Sequence, residues 1–108
     1  MAFFGDYRDF TGADAGKYFK RTLCRSDALM LGLNCLEPGQ VQAAHAHDGA
    51  DKFYFVVEGE GRFTVGGETR EAGEGVVVWA PAGVSHGVEN MGGRRLVLLV
   101  GIAPPPQP

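Results

Sequence analysis

The chain has 108 residues and a formal net charge of −3, and 44% of its residues are hydrophobic and 21% charged. This length fits one domain, and the balance of apolar and charged residues excludes a disordered or fibrous chain. The negative charge argues against a nucleic-acid partner, and the lack of an apolar run of about 18 residues argues against a membrane partner. The N-terminus lacks the basic and apolar regions of a signal peptide, so we expect a cytoplasmic protein.

The chain divides into three parts in sequence order. Residues 1–16 mix aromatic and polar side chains and form an N-terminal extension that we expect to pack on the domain or on a partner subunit. Residues 17–103 carry the alternating apolar runs of the domain itself. Residues 104–108 are a proline-rich tail.

Short apolar runs separated by glycine-rich turns predict an all-β domain. The 17 glycines, about twice the usual share, suit many tight turns, and no stretch has the length or periodicity of a convincing helix. The predicted strands are 17–25, 28–36, 41–47, 52–58, 62–65, 68–70, 76–80, 87–90 and 96–102. Strand 28–36 is mostly apolar, so we expect it to be buried on both faces.

The two cysteines and the tryptophan lie within apolar runs. We expect Cys24 and Cys35 to be buried thiols without a disulfide, because free cysteine is commonly buried and nothing indicates secretion. Trp79 lies in the predicted strand 76–80, and we expect it to belong to the core. Asn90 is expected to cap a turn with its side chain.

Two histidines share one strand and a third follows far downstream. His45 and His47 are two residues apart, so strict alternation places them on one face with Val41 and Ala43, and places Gln42 on the other. Imidazole nitrogens are good ligands for transition metals. A His-x-His pair is weak evidence by itself, and the third histidine, His86, strengthens it.

The spacing around these histidines resembles the two sequence motifs of the cupin superfamily. The second motif, Gly-x5-Pro-x-Gly-x2-His-x3-Asn, is matched from Gly75 to Asn90, and the first is matched at Gly39, His45, His47 and Gly59. The resemblance implies a double-stranded β-helix, the jelly-roll cupin barrel, over about residues 28–102. It also implies that His45, His47 and His86 converge on a divalent metal, Fe, Mn, Zn or Ni, inside that barrel.

One position departs from the first motif. Where the motif has a glutamate ligand the chain has Lys52, with Asp51 beside it, and an ammonium group repels a cation. Three alternatives stay open: three histidines hold the metal alone; Asp51 adds a fourth ligand through an irregular strand start; or Lys52 points inward and the pocket binds an anion without metal. If Lys52 faces the cavity, Tyr54 lines it too.

Two classes of function fit these residues. The first is a metal-dependent enzyme of the oxygenase or isomerase type acting on a small organic molecule, and the second is a non-catalytic module that binds or senses a small molecule without tightly bound metal. Small cupins commonly form homodimers, so the resemblance implies a homodimer. We expect the N-terminal aromatics and strand 28–36 to supply its interface.

Overall fold

The computed structural model describes residues 1–106, and they form nine strands, one short 3-10 turn and no α-helix. The predicted all-β class is therefore confirmed. The 3-10 turn covers Tyr7–Asp9, and the strands are β1 Phe19–Arg25, β2 Met30–Leu36, β3 Val41–His45, β4 Asp51–Glu58, β5 Glu60–Val65, β6 Glu68–Gly73, β7 Val77–Ala80, β8 His86–Glu89 and β9 Leu96–Ala103. No helix in this part of the chain is long and apolar enough to cross a membrane.

The strands form two antiparallel sheets. One has the order β1-β2-β9-β4-β7 and the other the order β3-β8-β5-β6. The central pairs, β2 with β9 and β4 with β9, join segments far apart in the chain, so long-range pairing dominates the fold. Within residues 1–106, hydrogen bonds do not join the two sheets into a closed barrel.

The inner faces of the two sheets pack against each other and form the main core. Leu36, Val56 and Leu98 from the five-stranded sheet meet Phe63 and Val88 from the four-stranded one, and all five are buried. Removing this apolar surface from water is the main favourable contribution to folding. One end of the same inner space is polar, and the candidate site lies there.

The outer face of the five-stranded sheet is covered in part by the N-terminal segment. Tyr7 and Phe10 pack against a second cluster built on Leu33, Cys35 and Val97, and the Tyr7 hydroxyl donates to Glu58 Oε2 at 2.8 Å. Strand β2 is therefore buried on both faces, as its apolar sequence predicts. Its outer face is covered by its own N-terminal segment, and the expectation that the N-terminal aromatics and this strand supply a dimer interface stays a prediction.

The prediction that Trp79 belongs to the core is wrong. Trp79 lies on β7, the edge strand of its sheet, with 57% of its surface exposed. Its cross-strand neighbour Phe53 and the nearby Phe55 are only partly buried, because no segment of residues 1–106 covers this end of the outer face. The prediction of two thiols without a disulfide is confirmed, with Cys35 buried and Cys24 partly buried.

Candidate metal centre and its cavity

The fold brings the three histidines together at one end of the space between the sheets. His45 ends β3 and His86 begins β8, and the two residues face each other across these paired strands. The imidazole centroid of His45 lies 4.5 Å from that of His86 and 4.8 Å from that of His47, and the centroids of His47 and His86 are 5.3 Å apart. One nitrogen from each ring lies within 4.8 Å of the other two.

A β-bulge in β3 turns both Gln42 and His45 inward. Gln42 pairs with Val88 and His45 with His86, so three steps along β3 match two along β8. The extra residue shifts the alternation, and for this reason the predicted placement of Gln42 on the opposite face is wrong. A Cβ at Gly87 would stand 2.8 Å from the Gln42 carbonyl oxygen, so glycine lets the bulge approach β8.

His47 lies beyond the end of β3 and is tied to the turn that precedes His86. Its carbonyl oxygen accepts a hydrogen bond from the Gly83 amide at 3.0 Å. Gly83 has φ +77°, a left-handed conformation that favours glycine. These contacts hold the His47 segment and the His86 turn together, so residues far apart in sequence form one cluster.

Asp51 lies outside the cluster. Its side chain is exposed and its Oδ1 accepts a hydrogen bond from the Ala82 amide at 2.9 Å. The strand start is not irregular enough to bring this carboxylate to the histidines, and Asp51 and Lys52 point to opposite faces as alternation predicts. Asp51 instead steadies the turn that leads to His86.

Hydrogen bonds at Nδ1 of His45 and of His86 leave the Nε2 atoms of these two rings unprotonated, each with a lone pair that can bind a metal ion. Nδ1 of His45 lies 2.8 Å from the Ala43 carbonyl, and Nδ1 of His86 lies 3.1 Å from the Val84 carbonyl. A carbonyl oxygen only accepts, so each Nδ1 carries the proton and each Nε2 is free to bind an ion. The Nε2 atoms of His47 and His86 are buried and have no hydrogen-bond partner within the described chain.

The environment also favours the neutral form of the His47 and His86 rings. Burial lowers the pKa of His47 and of His86 from the ordinary value of 6.5, and the positive charge of Lys52 lowers both further. A neutral imidazole is the form that binds metal. A donor set of three imidazoles would suit Zn, Fe or Ni better than Mn, which prefers oxygen ligands.

Lys52 and Tyr54 point inward from β4, next to the histidines. Lys52 is 3% exposed and Tyr54 is fully buried. The Gln42 side-chain oxygen accepts from the Tyr54 hydroxyl and lies 3.5 Å from Lys52 Nζ, so one amide contacts both side chains. Burial raises the pKa of Tyr54, which keeps the phenol protonated, and lowers that of Lys52 to about 8.

Lys52 and Gln42 line a cavity of about 340 Å³, whereas the fully buried Tyr54, which was expected to line it together with Lys52, does not. Its lining includes His45, His47 and Lys52, with Lys20 and Arg21 from β1 and several apolar side chains of β2 and β9. A larger surface depression of about 690 Å³ lies on the N-terminal segment, but no histidine lines it. The smaller cavity is within the size range of small-molecule sites and is the only one of the two that contains the metal-type donors.

Asn90, at the end of the second motif, has the structural role expected for it. It is buried, and its side-chain amide donates to the carbonyls of Leu36 and Arg94 while its oxygen accepts from the Gly92 amide. Alternation placed Gln42 away from the histidines, and its role at the site follows from the bulge in β3 and from its contacts with Lys52 and Tyr54.

Comparison with known proteins agrees with this geometry. The family model for the cupin domain matches residues 32–102. An uncharacterized protein of Streptomyces coelicolor is 36% identical over 93 residues, 86% of this chain and 85% of that one. An oxalate-binding protein of Thermotoga maritima is 34% identical over 64 residues, 59% of this chain and 53% of that one. A crystal structure from Thermus thermophilus superposes with a TM-score of 0.92 at 36% identity and covers 95% of this chain and 98% of its own.

Proposed function

Because this chain belongs to the cupin family, we propose that its two sheets form the family's jelly-roll barrel and that His45, His47 and His86 hold one divalent transition metal inside it. The observation that carries this proposal is the pair of buried, unpartnered Nε2 atoms beside a third imidazole. A buried polar atom without a partner is unfavourable, and a shared metal ion relieves this for all three rings at once.

The proposed function is metal-dependent catalysis of the oxygenase or isomerase type, with a small organic molecule bound in the adjoining cavity. Three protein ligands leave coordination positions open, and a bound ion supplies a Lewis acid for an oxygen atom of the ligand. The chain contributes the apolar and polar walls that orient the molecule, and the hydrogen bond from the buried Tyr54 hydroxyl holds Gln42 in one of these walls. One relative is named an oxalate-binding protein, which supports a small organic molecule as the ligand.

A second candidate is a module that binds or senses a small molecule without tightly bound metal. The inward-facing Lys52 favours it, because an ammonium group near the histidines repels a cation. The two candidates differ in whether the chelator-treated protein takes up metal.

Metal binding to the purified protein tests the proposal. We expect chelator-treated protein to bind one equivalent of Zn²⁺ or Ni²⁺ in calorimetry, and the His47→Ala variant to lose this binding. Asp48→Ala is the matched control, because Asp48 is exposed and lies outside the cluster. If the wild-type protein takes up no metal at any loading, the metal proposal fails and the second candidate remains. Oxygen uptake by iron-loaded protein with candidate thiols or diketones then tests the oxygenase type.

We also propose that the chain forms a homodimer through the uncovered end of the five-stranded sheet. Val77 and Trp79 on the edge strand β7 are 63% and 57% exposed and adjoin the partly buried Phe53 and Phe55. An exposed apolar patch next to an unpaired strand edge is a favourable surface for association with a second copy. Light scattering after size exclusion measures the predicted mass of two chains.

A further inference from the structure

Lys52 is a nearly buried ammonium group for which the described chain offers no counter-charge. It is 3% exposed, and none of the ion pairs within residues 1–106 includes it. We propose that Lys52 is the binding group for a carboxylate of the ligand, so that the cavity selects small organic acids. Such an acid places one carboxylate on Lys52 and a second oxygen toward the three histidines, and this second contact rests on the metal-centred function proposed above.

The contacts of Lys52 leave most of its hydrogen-bonding capacity free. Nζ has one contact, at 3.5 Å to the Gln42 side-chain oxygen, and that oxygen also accepts from Tyr54. An ammonium group has three donors, so a bound carboxylate finds N–H groups to accept from. Nζ also lies 4.6 Å from the centroid of the Tyr54 ring, which stabilises its charge but does not neutralise it.

The same ring links the ammonium group to the histidines. The Tyr54 centroid is 6.1 Å from that of His86 and 4.6 Å from Lys52 Nζ, and His45, His47 and Lys52 line the same cavity, so two of the metal donors and the ammonium group are open to one ligand. A small molecule with two oxygen groups can therefore contact both. A molecule with one oxygen group can contact only one of them.

The charge of the cavity lining favours an anion. Lys20 and Lys52 line it with their charged side chains and no aspartate or glutamate does, although the chain as a whole carries a net charge of −3; the Arg21 guanidinium lies over the Phe10 ring instead. Lys20 is close enough to lower the pKa of Lys52 through like-charge repulsion. The positive potential is therefore local to the cavity, and apolar neighbours such as Val100 and Ile102 reduce its screening by water.

Selectivity follows from the cost of leaving a buried charge unpaired. A carboxylate restores a counter-charge to Lys52, whereas a neutral amide of the same shape displaces water without providing one. The site should therefore distinguish malonate or oxalate from malonamide. A binding site that uses only shape would treat malonate and malonamide alike.

Calorimetry on Zn²⁺-loaded and chelator-treated protein tests the inference, with malonate and oxalate as probes and malonamide as the neutral control. We expect Lys52→Met and Lys52→Gln to weaken malonate binding by about tenfold or more, the range expected for loss of a charged hydrogen bond. Lys17→Met is the matched control, since Lys17 is exposed and does not line the cavity. Circular dichroism confirms that each variant is folded.

The outcomes separate this inference from the metal proposal. Equal malonate affinity in wild type and in a folded Lys52 variant overturns the inference, even if both bind one equivalent of Zn²⁺. Equal affinity of the wild type for malonate and malonamide also overturns it. Lys52-dependent malonate binding by protein that takes up no metal supports the carboxylate site and rejects the metal centre.

Discussion

The burial of Lys52 makes a quantitative prediction about stability. Its pKa falls from 10.5 to about 8, first because burial penalises the charged form and then because Lys20 lies nearby. The gap between these pKa values, at about 1.36 kcal/mol per pH unit, corresponds to roughly 3 kcal/mol. This is the free energy by which the charged side chain destabilises the ligand-free folded state at neutral pH. Replacing Lys52 with methionine, of similar length but uncharged, should recover up to that amount.

The sign of the pH dependence follows from the proton count of each state. Below pH 8 both the folded and the unfolded chain carry the Lys52 proton, so the destabilisation is constant. Between pH 8 and 10.5 the unfolded chain keeps a proton that the folded chain has released, so the stability of the wild type rises with pH. Above pH 10.5 the penalty is gone, and the advantage of Lys52→Met should disappear.

Urea unfolding from pH 7 to pH 11 measures this difference directly. The protein is treated with chelator and kept in buffers without carboxylates, because a bound ligand would stabilise the wild type. Subtracting the wild-type free energy of unfolding from that of Lys52→Met removes the contributions of other titrating groups, and Lys17→Met reports a surface lysine. Equal stability of wild type and Lys52→Met at pH 7, or a difference that does not change with pH, would refute the reasoning.

Three further predictions test other parts of the structure. Burial lowers the pKa of His47, so below pH 6.5 the unfolded chain binds a proton more readily than the folded chain does, and the metal-free protein should lose stability as the pH falls. The His47→Ala variant should lose less stability over the same pH range. Thermal unfolding at a series of pH values measures both. Gly87→Ala places a Cβ 2.8 Å from a backbone oxygen of β3, so it should destabilise the fold by about 1–3 kcal/mol and weaken Zn²⁺ binding. Gly67 has open space around it, so Gly67→Ala should change neither the stability nor Zn²⁺ binding. Equal urea midpoints for Gly87→Ala and Gly67→Ala would contradict this account. Trp79→Lys should yield a monomer in light scattering while Met91→Lys, at an exposed site elsewhere, leaves the mass unchanged; a dimer that survives Trp79→Lys would place the interface elsewhere.

Much of this architecture could be predicted from the sequence because the local signals agree with one another. Glycine-punctuated apolar runs predicted the all-β class, and the resemblance of two stretches to the cupin motifs implied that His86 would join the His45–His47 pair. Alternation along β4 correctly put Asp51 and Lys52 on opposite faces, with Tyr54 on the face of Lys52, but it did not determine which of the two faces points to the cavity. These predictions depend on regular strand geometry and on short-range sequence spacing.

The wrong predictions concern side chains whose orientation or burial depends on contacts between segments far apart in the sequence. Alternation put Gln42 and His45 on opposite faces, and the bulge that brings both inward depends on how β3 pairs with β8. The burial of Trp79 could not be judged from its apolar run, because the run does not reveal that β7 is an edge strand. Likewise, the covering of β2 by Tyr7 and Phe10 depends on the path of the N-terminal segment.

The bulge in β3 has a consequence for how the site could change by insertion or deletion. One extra residue allows a single short strand to supply Gln42 to the ammonium end of the cavity and His45 to the imidazole end. Deleting Ala43 or Ala44 would restore regular pairing and turn one of these two side chains away from the cavity. The number of residues in this strand, and not the identity of its alanines, therefore keeps both Gln42 and His45 directed into the cavity.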